Sequence, residues 1–390
     1  MIEHYAKEIN HHMHAEIAIV GGGLGGLISA IKLAEAGFSV KLFEKKEYPF
    51  HKVCGEYVSN EVLEFLIKLG FNPHLHGAST ITKLRISSPS GKNFYSNLDS
   101  GGFGISRYCM DAELVKLARQ NGVEVFEKTK IQSIEKQQEG FKLKTGDDIE
   151  ISANLVIGSW GKRDALDKKL ERDFIDKKTG FLGVKYHIKT DYPIDEVGLD
   201  NFENGYCGIV KIESDLYNLC YLYKKDKVKS FTNLTELNAE ILFKNSVIKQ
   251  IFQNSDFMHK QPEVINQISF ANKQSVVNNI LLCGDSAGLI TPLCGNGMAM
   301  AISGANLLAE SIIATAKPNN FPLNKKQQEE LYTTYQQNWN KLFSTRLFWG
   351  RKIQSVFGNP FITNSVLNGV HKIPVVQKWL VAQTHGKPII

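Results

Sequence analysis

The stretch Ile17-Ala18-Ile19-Val20 is unbroken in its apolar character and ends on glycine, as expected of a strand buried on both faces of a parallel sheet. Leu27, Ala30, Ile31 and Ala34 then recur at helical spacing until Gly37 ends the predicted helix. A second strand is predicted at Ser39-Val40-Lys41-Leu42-Phe43, closing on Glu44. Far along the chain, Ile280-Leu281-Leu282-Cys283 repeats the buried-strand pattern, followed by a helix whose inward positions are small: Ala299, Ala301, Ser303, Gly304 and Ala305. Between these segments, residues 81–86, 181–188, 206–212 and 216–223 alternate and are rich in β-branched or aromatic side chains, which predicts half-buried strands of a sheet.

The turns between these elements carry the candidate chemistry. Gly21-x-Gly23-x-x-Gly26 joins the first strand to the first helix, with Gly25 beside the last glycine. Gly21 permits the tight turn, Gly23 lets the backbone approach a pyrophosphate, and Gly26 lets helix and strand pack closely. The helix amides then face the anion. Glu44 lies 18 residues after Gly26, close to the spacing at which a carboxylate meets ribose hydroxyls, and Lys45 follows it. This order of strand, turn, helix, strand and acid predicts a dinucleotide site without choosing between NAD and FAD.

The distant segment makes that choice. Gly284-Asp285 puts a carboxylate at the carboxyl end of a strand, where it is placed to hold a ribityl hydroxyl. After Pro292, Gly295-Asn296-Gly297-Met298 opens the small-residue helix, whose amides stabilise negative charge at the edge of a flavin ring. The expected cofactor is therefore FAD. The expected fold is α/β: a Rossmann-like FAD-binding domain, an inserted antiparallel-sheet substrate domain and a helical C-terminal tail. The predicted boundaries are a disordered leader at 1–14, an FAD-binding domain at 15–75, 100–165 and 275–325, a substrate sheet at 76–99 and 166–274, and a basic helical region at 326–390.

With Arg107 before a predicted helix at residues 111–119 and the loop Pro49-Phe50-His51-Lys52-Val53-Cys54-Gly55-Glu56, these segments resemble the FAD-dependent geranylgeranyl reductases and the related flavoprotein hydroxylases and halogenases, over nearly the whole chain. The resemblance implies that Gly21, Gly23, Gly26 and Glu44 hold the ADP half. It also implies that Arg107 supports the cofactor, that Gly55 belongs to a loop beside the flavin, that Ile131 lies near adenine, and that Asp285, Gly297 and Met298 hold the ribityl chain and ring. Two departures narrow the chemistry. The hydroxylases' G-x-D-G element is here Gly158-Ser159-Trp160-Gly161, without the carboxylate associated with nicotinamide nucleotide binding, and none of Trp160, Trp339, Trp349 and Trp379 has a second tryptophan two residues away, as halogenases require. The Lys52-Val53-Cys54-Gly55-Glu56 loop is closer to that of the reductases.

The expected activity is hydride transfer from reduced flavin to a double bond of a lipophilic, isoprenoid or polyene-like substrate. Cys54, His187 and Tyr206 are the candidate acids, although each also suits simple packing. The alternatives are an aromatic monooxygenase and an electron-transfer dehydrogenase. Gly101-Gly102-Phe103-Gly104 leads into a strand in this reading and makes no second nucleotide turn, so NADPH as donor would bind transiently.

Charge and cysteine content refine the picture. The net charge is +6, but Lys341, Arg346, Arg351, Lys352, Lys372, Lys378 and Lys387 are the only formal side-chain charges after Glu330. Interleaved with Phe343, Leu347, Phe348, Trp349, Ile353, Val356 and Phe357, they suit either a solvated face of a packed helix or peripheral contact with an anionic membrane. No apolar run reaches the roughly 18 residues of a spanning helix, and no signal-peptide pattern opens the chain, so a cytoplasmic location is expected. The six cysteines lack C-x-x-C spacing, which predicts reduced thiols and no metal site. His4, His11, His12 and His14 fall in the leader, and Met13 is a second candidate start. No nucleic-acid partner is expected.

Overall fold

The computed structural model describes residues 13–176, 180–225, 231–291, 295–356 and 386–389. Among these residues two sheets are formed, one of eight strands and one of nine. The centre of the first is parallel and runs Ile280–Leu282, Glu150–Gly158, Met13–Val20, Val40–Phe43, Glu124–Phe126. Its central strands are apolar at every buried position, with Ile17, Ala18, Ile19, Val156, Ile157 and Leu281 completely or almost completely inaccessible. Helices Leu24–Glu35 and Gly297–Thr315 pack against each other, and helix Lys325–Val356 packs on the latter.

The second sheet is mainly antiparallel and runs from Phe181–Lys189 through Tyr217–Lys224, Gly205–Lys211 and Glu196–Phe202 to Ser79–Ser87, Asn93–Gly104 and Tyr57–Ser59. Ser79–Ser87 pairs with Glu196–Phe202 in parallel, so one joint of this sheet departs from the antiparallel expectation. Several predicted limits also shift. Met13 and His14 belong to the first strand, paired with Ile151 and Ser152, while residues 1–12 lie outside the described residues. Tyr57–Ser59 and Asn93–Gly104 belong to the second sheet, so the sequence-based boundaries near 75 and 100 do not follow the layers. Gly101 to Gly104 end a strand rather than lead into one.

Helix Arg107–Gln120 starts four residues earlier than predicted, because Ser106 accepts from the Cys109 amide and caps it. Helix Gly297–Thr315 is long and apolar enough to cross a membrane by length and composition, against the sequence expectation, yet most of it is buried in the core of the first layer. In the basic helix Lys325–Val356, Tyr335, Trp339, Phe343 and Leu347 are core residues. Phe348 is 48% exposed beneath the Lys352 ammonium, so the described part of the tail combines a packed apolar face with a solvated basic one. The side chains of Ile353 and Val356 are not described, and Phe357, Lys372 and Lys378 lie outside the described residues.

Candidate functional site

Strand register assembles the site. Val20 is level with Phe43 and with Gly158, and Gly158 is level with Leu282, so the strands reach the sheet's carboxyl edge together. The ladder continues one step beyond them: Gly21 N donates to Phe43 O at 2.8 Å, Ser159 N to Val20 O at 2.8 Å, Cys283 N to Gly158 O at 3.0 Å. Open parallel sheets bind ligands along this edge. A cavity of about 720 Å³ lies there, and its lining includes Gly21, Gly23, Gly25, Glu44, Lys45, Gly55, Arg107, Ile131, Gly284, Asp285, Gly295, Gly297 and Met298.

The glycine turn is built for a close approach. Gly21 has φ +103°, and a Cβ there would lie 2.5 Å from Ser159 O. Gly26 does not line the cavity; a Cβ on it would lie 2.1 Å from Gly21 O, so its absence sets the helix-to-strand distance. A Cβ on Gly23 would instead meet only Arg107 Nη2 at 3.8 Å and Lys52 Nζ at 3.9 Å. Gly23 caps helix Leu24–Glu35 without any side-chain bond, so the helix's first amides share that space with two cations. This open, positive cradle fits a pyrophosphate.

Charge around the cradle is arranged by Asp111. Arg107 Nε and Nη2 donate to its two oxygens at 2.8 Å each, and Lys52 Nζ donates to Oδ2 at 2.9 Å. Burial pushes the Asp111 carboxyl up, but Arg107 and Lys52 outweigh it and hold it below the ordinary range. The Glu44 carboxylate accepts from Gly22 N at 2.8 Å and Lys46 N at 3.0 Å, which fixes it at the cavity wall, and each of its oxygens has capacity for a second donor such as a ribose hydroxyl. Lys45 is paired with Asp164 at 2.7 Å, and Lys45 and the buried Ile131 both line the cavity.

At the opposite end Gly284, with φ +60°, turns Asp285 into the cavity wall. Lys273 Nζ donates to Asp285 O at 2.7 Å and Lys162 O at 2.8 Å, tying two wall segments together. Burial lowers the Lys273 pKa to about 8, with Asp285 opposing the shift. Gly297 and Met298 line the cavity, but Asn296 does not: its amide turns away and donates to Glu61 Oε2 at 3.2 Å. Asn296, expected among the cofactor-binding residues, is therefore not on the cavity wall with Gly295, Gly297 and Met298.

Of the three candidate acids, Cys54 and Tyr206 line the cavity. Asn218 Nδ2 holds the Cys54 loop by donating to Cys54 O at 3.1 Å and Gly55 O at 2.9 Å. His187 does not reach the cavity, because its Nε2 lies 2.7 Å from Glu56 Oε2 behind the wall. Glu56 is the residue sequence reasoning missed most. Completely buried at φ +55°, it pairs with the Lys185 ammonium and accepts from Arg107 N at 2.8 Å. Its position in the Cys54 loop was the available signal. His51 also lines the cavity, stacked on Tyr108 at 4.6 Å, and burial with nearby Lys185 and His187 lowers its pKa. Trp160 occupies the place of the missing acid and donates from Nε1 to Asp167 at 3.0 Å. Among the described residues no His, Cys, Asp and Glu group is arranged for a metal, and Cys54, Cys109, Cys207, Cys220 and Cys283 are free thiols.

Residues 14–339 match the family model described as FAD binding domain. The chain belongs to that family. It is an FAD-dependent oxidoreductase, and the cradle, Glu44 and the glycine turns described above are the features that suit FAD. Its relatives include a conditioned medium factor receptor 1 of Dictyostelium discoideum, 23% identical over 76% of this chain but only 63% of that protein's length. A probable electron transfer flavoprotein-quinone oxidoreductase of Escherichia coli is 26% identical over 79% of each chain. A digeranylgeranylglycerophospholipid reductase of Methanothrix thermoacetophila is 23% identical over 78% of each. Among solved structures, a flavin-dependent brominase matches with TM-score 0.75 at 16% identity over 95% of this chain and 93% of its own. A geranylgeranyl bacteriochlorophyll reductase-like protein of Thermoplasma acidophilum matches with TM-score 0.67 at 18% identity, over 96% and 92%. These two share the fold.

Proposed function

We propose that this enzyme reduces a carbon–carbon double bond of a lipophilic substrate of isoprenoid or polyene type. The observation that carries the reading is the continuity of the cavity. From the nucleotide edge it extends beneath the second sheet, where Leu84, Val197, Leu199, Ile209, Leu222 and Ile268 line it. Such a wall recognises length and apolarity, offers few polar groups for orienting a phenol, and excludes water from the reacting bond. Relatives named digeranylgeranylglycerophospholipid reductase support the same substrate class.

When bound and reduced, FAD supplies a hydride. The chain's own part is to place the double bond and deliver the proton. Cys54 is the proposed donor: it stands on the loop between the cradle and the chamber, and Asn218 fixes that loop through two carbonyls. Tyr206, on the chamber wall, orients the substrate. NADPH is proposed as a donor that binds transiently, and the basic helix as a peripheral membrane contact. Cys54→Ala is expected to lower the rate of substrate reduction about 100-fold while leaving FAD content unchanged, as read by visible absorbance and single-turnover kinetics.

A second reading, transfer of electrons to a quinone, is favoured by the relative bearing that name. Stopped-flow mixing of the anaerobically reduced protein with polyprenyl lipids, with a quinone, and with oxygen plus a phenol panel separates the alternatives. Fast reoxidation by polyprenyl lipid is expected. Reoxidation by quinone alone, or by oxygen alone with hydroxylated phenol, would sink the reductase reading.

A further inference from the structure

We infer that the buried Glu61–Arg346 ion pair is a positioning device for FAD, fixing the helix start at Asn296-Gly297 and clamped in turn by residues 386–389; this rests on the family's FAD assignment. Asparagine is a preferred helix N-cap, its side chain normally bonding the first free amides. Asn296 stands at the cap of helix Gly297–Thr315, and its carbonyl accepts from Met300 N at 3.0 Å, yet its side chain makes no cap bond. The Asn296 Nδ2 donates to Glu61 Oε2 at 3.2 Å, which ties the helix start to the turn at residues 60–62. Gly297 and Met298, which line the cavity, therefore take their position from Asn296 and its tie to Glu61.

Glu61 is held in that role from the far end of the chain. Arg346 Nη2 lies 2.7 Å from both Glu61 oxygens, and both side chains are almost entirely buried, at 3% and 8% exposure. Gly386 N also donates to Glu61 Oε2, and Ile389 N donates to Glu61 O at 2.9 Å. A Cβ on Gly386 would lie 2.4 Å from Arg346 Nη2, so this segment closes directly over the guanidinium. One carboxylate thus gathers the 60s turn, the flavin-side helix start, the basic helix and the 386–389 segment. In a low-dielectric setting such a charge-assisted network has one preferred geometry, and disturbing any arm moves the others.

The test uses the full-length holoprotein. Gly386→Ala displaces the guanidinium without removing a charge, and Arg346→Lys keeps the charge but loses the two-oxygen contact. Each is expected to weaken FAD binding about tenfold, equivalent to roughly 1.4 kcal/mol, and to alter the visible spectrum of the bound flavin, with the far-ultraviolet circular dichroism of the apoprotein unchanged. Asn296→Ala is expected to weaken FAD comparably, and Asn296→Ala combined with Arg346→Lys to cost little more than either alone. FAD affinity within twofold of wild type and an unaltered spectrum in the single variants would overturn the inference. If Gly386→Ala fails to fold, the Asn296 and Arg346 cycle decides, and additive losses would overturn it. A wild-type protein that binds no FAD would instead overturn the cofactor assignment.

Discussion

Gly26→Ala is expected to yield protein that retains essentially no FAD, with affinity reduced at least about 100-fold, or ~2.7 kcal/mol. The added Cβ would stand 2.1 Å from Gly21 O and 2.6 Å from Ser159 Oγ. The first of these is backbone held in the ladder by Gly21 N donating to Phe43 O, so it cannot rotate away as a side chain would. Helix Leu24–Glu35 cannot retreat easily either, because Leu27, Ile28 and Ile31 are fully buried against the rest of the first layer. The turn must open, and the amides and the space at Gly23 then lose their alignment with Arg107 and Lys52. Overpacking of this kind also costs about 1–3 kcal/mol of stability. Flavin absorbance per protein and the thermal midpoint of the apoprotein measure the two effects separately.

Glu56→Gln is expected to destabilise the fold by about 3–5 kcal/mol, since it preserves shape while stranding a charge. The Lys185 ammonium is only 2% exposed and takes Glu56 as its carboxylate partner, and His187 also loses an anionic acceptor. Burial pushes the Glu56 carboxyl up, but the Lys185 ammonium and the His187 bond outweigh it, so the folded value lies below the ordinary 4.5. Its contribution is therefore complete above about 4.5 and is lost as pH falls through the depressed folded value. Wild-type stability should decline with acidification in that window, and Glu56→Gln should remove this part of the decline. Urea titrations at several pH values provide the check. A double variant with Lys185→Met should recover much of the loss, because the cost lies in the uncompensated ammonium.

Local chemistry explains which features could be read from the chain. The glycine turn, Glu44 and the Asp285 and Gly297 segments are each encoded by a short pattern next to an apolar strand, and the first sheet brings them to one edge by register alone. Asn93–Gly104 escaped notice because its exposed half is polar and rich in serine, asparagine and glycine, so pairing with Ser79–Ser87 rather than propensity makes it a strand. The partners of Glu56 and Glu61 are long-range: Lys185 is 129 residues from the former and Arg346 285 from the latter. No spacing rule links such residues. Asn296 lies in the expected turn but off the cavity wall, because Glu61 holds its Nδ2. His187 was similarly located on a correctly predicted strand, but Glu56 holds it behind the cavity wall.

The proposed reduction of a double bond in the apolar chamber beside the FAD site can be tested on the product itself. The most direct measurement is the product mass after one anaerobic turnover of the reduced holoprotein with a polyprenyl lipid, followed by a parallel turnover in air. The lipid is expected to gain two hydrogens in the absence of oxygen, in a yield that follows the amount of reduced flavin. Lipid recovered unchanged without oxygen, but carrying an added oxygen atom in air, would contradict it.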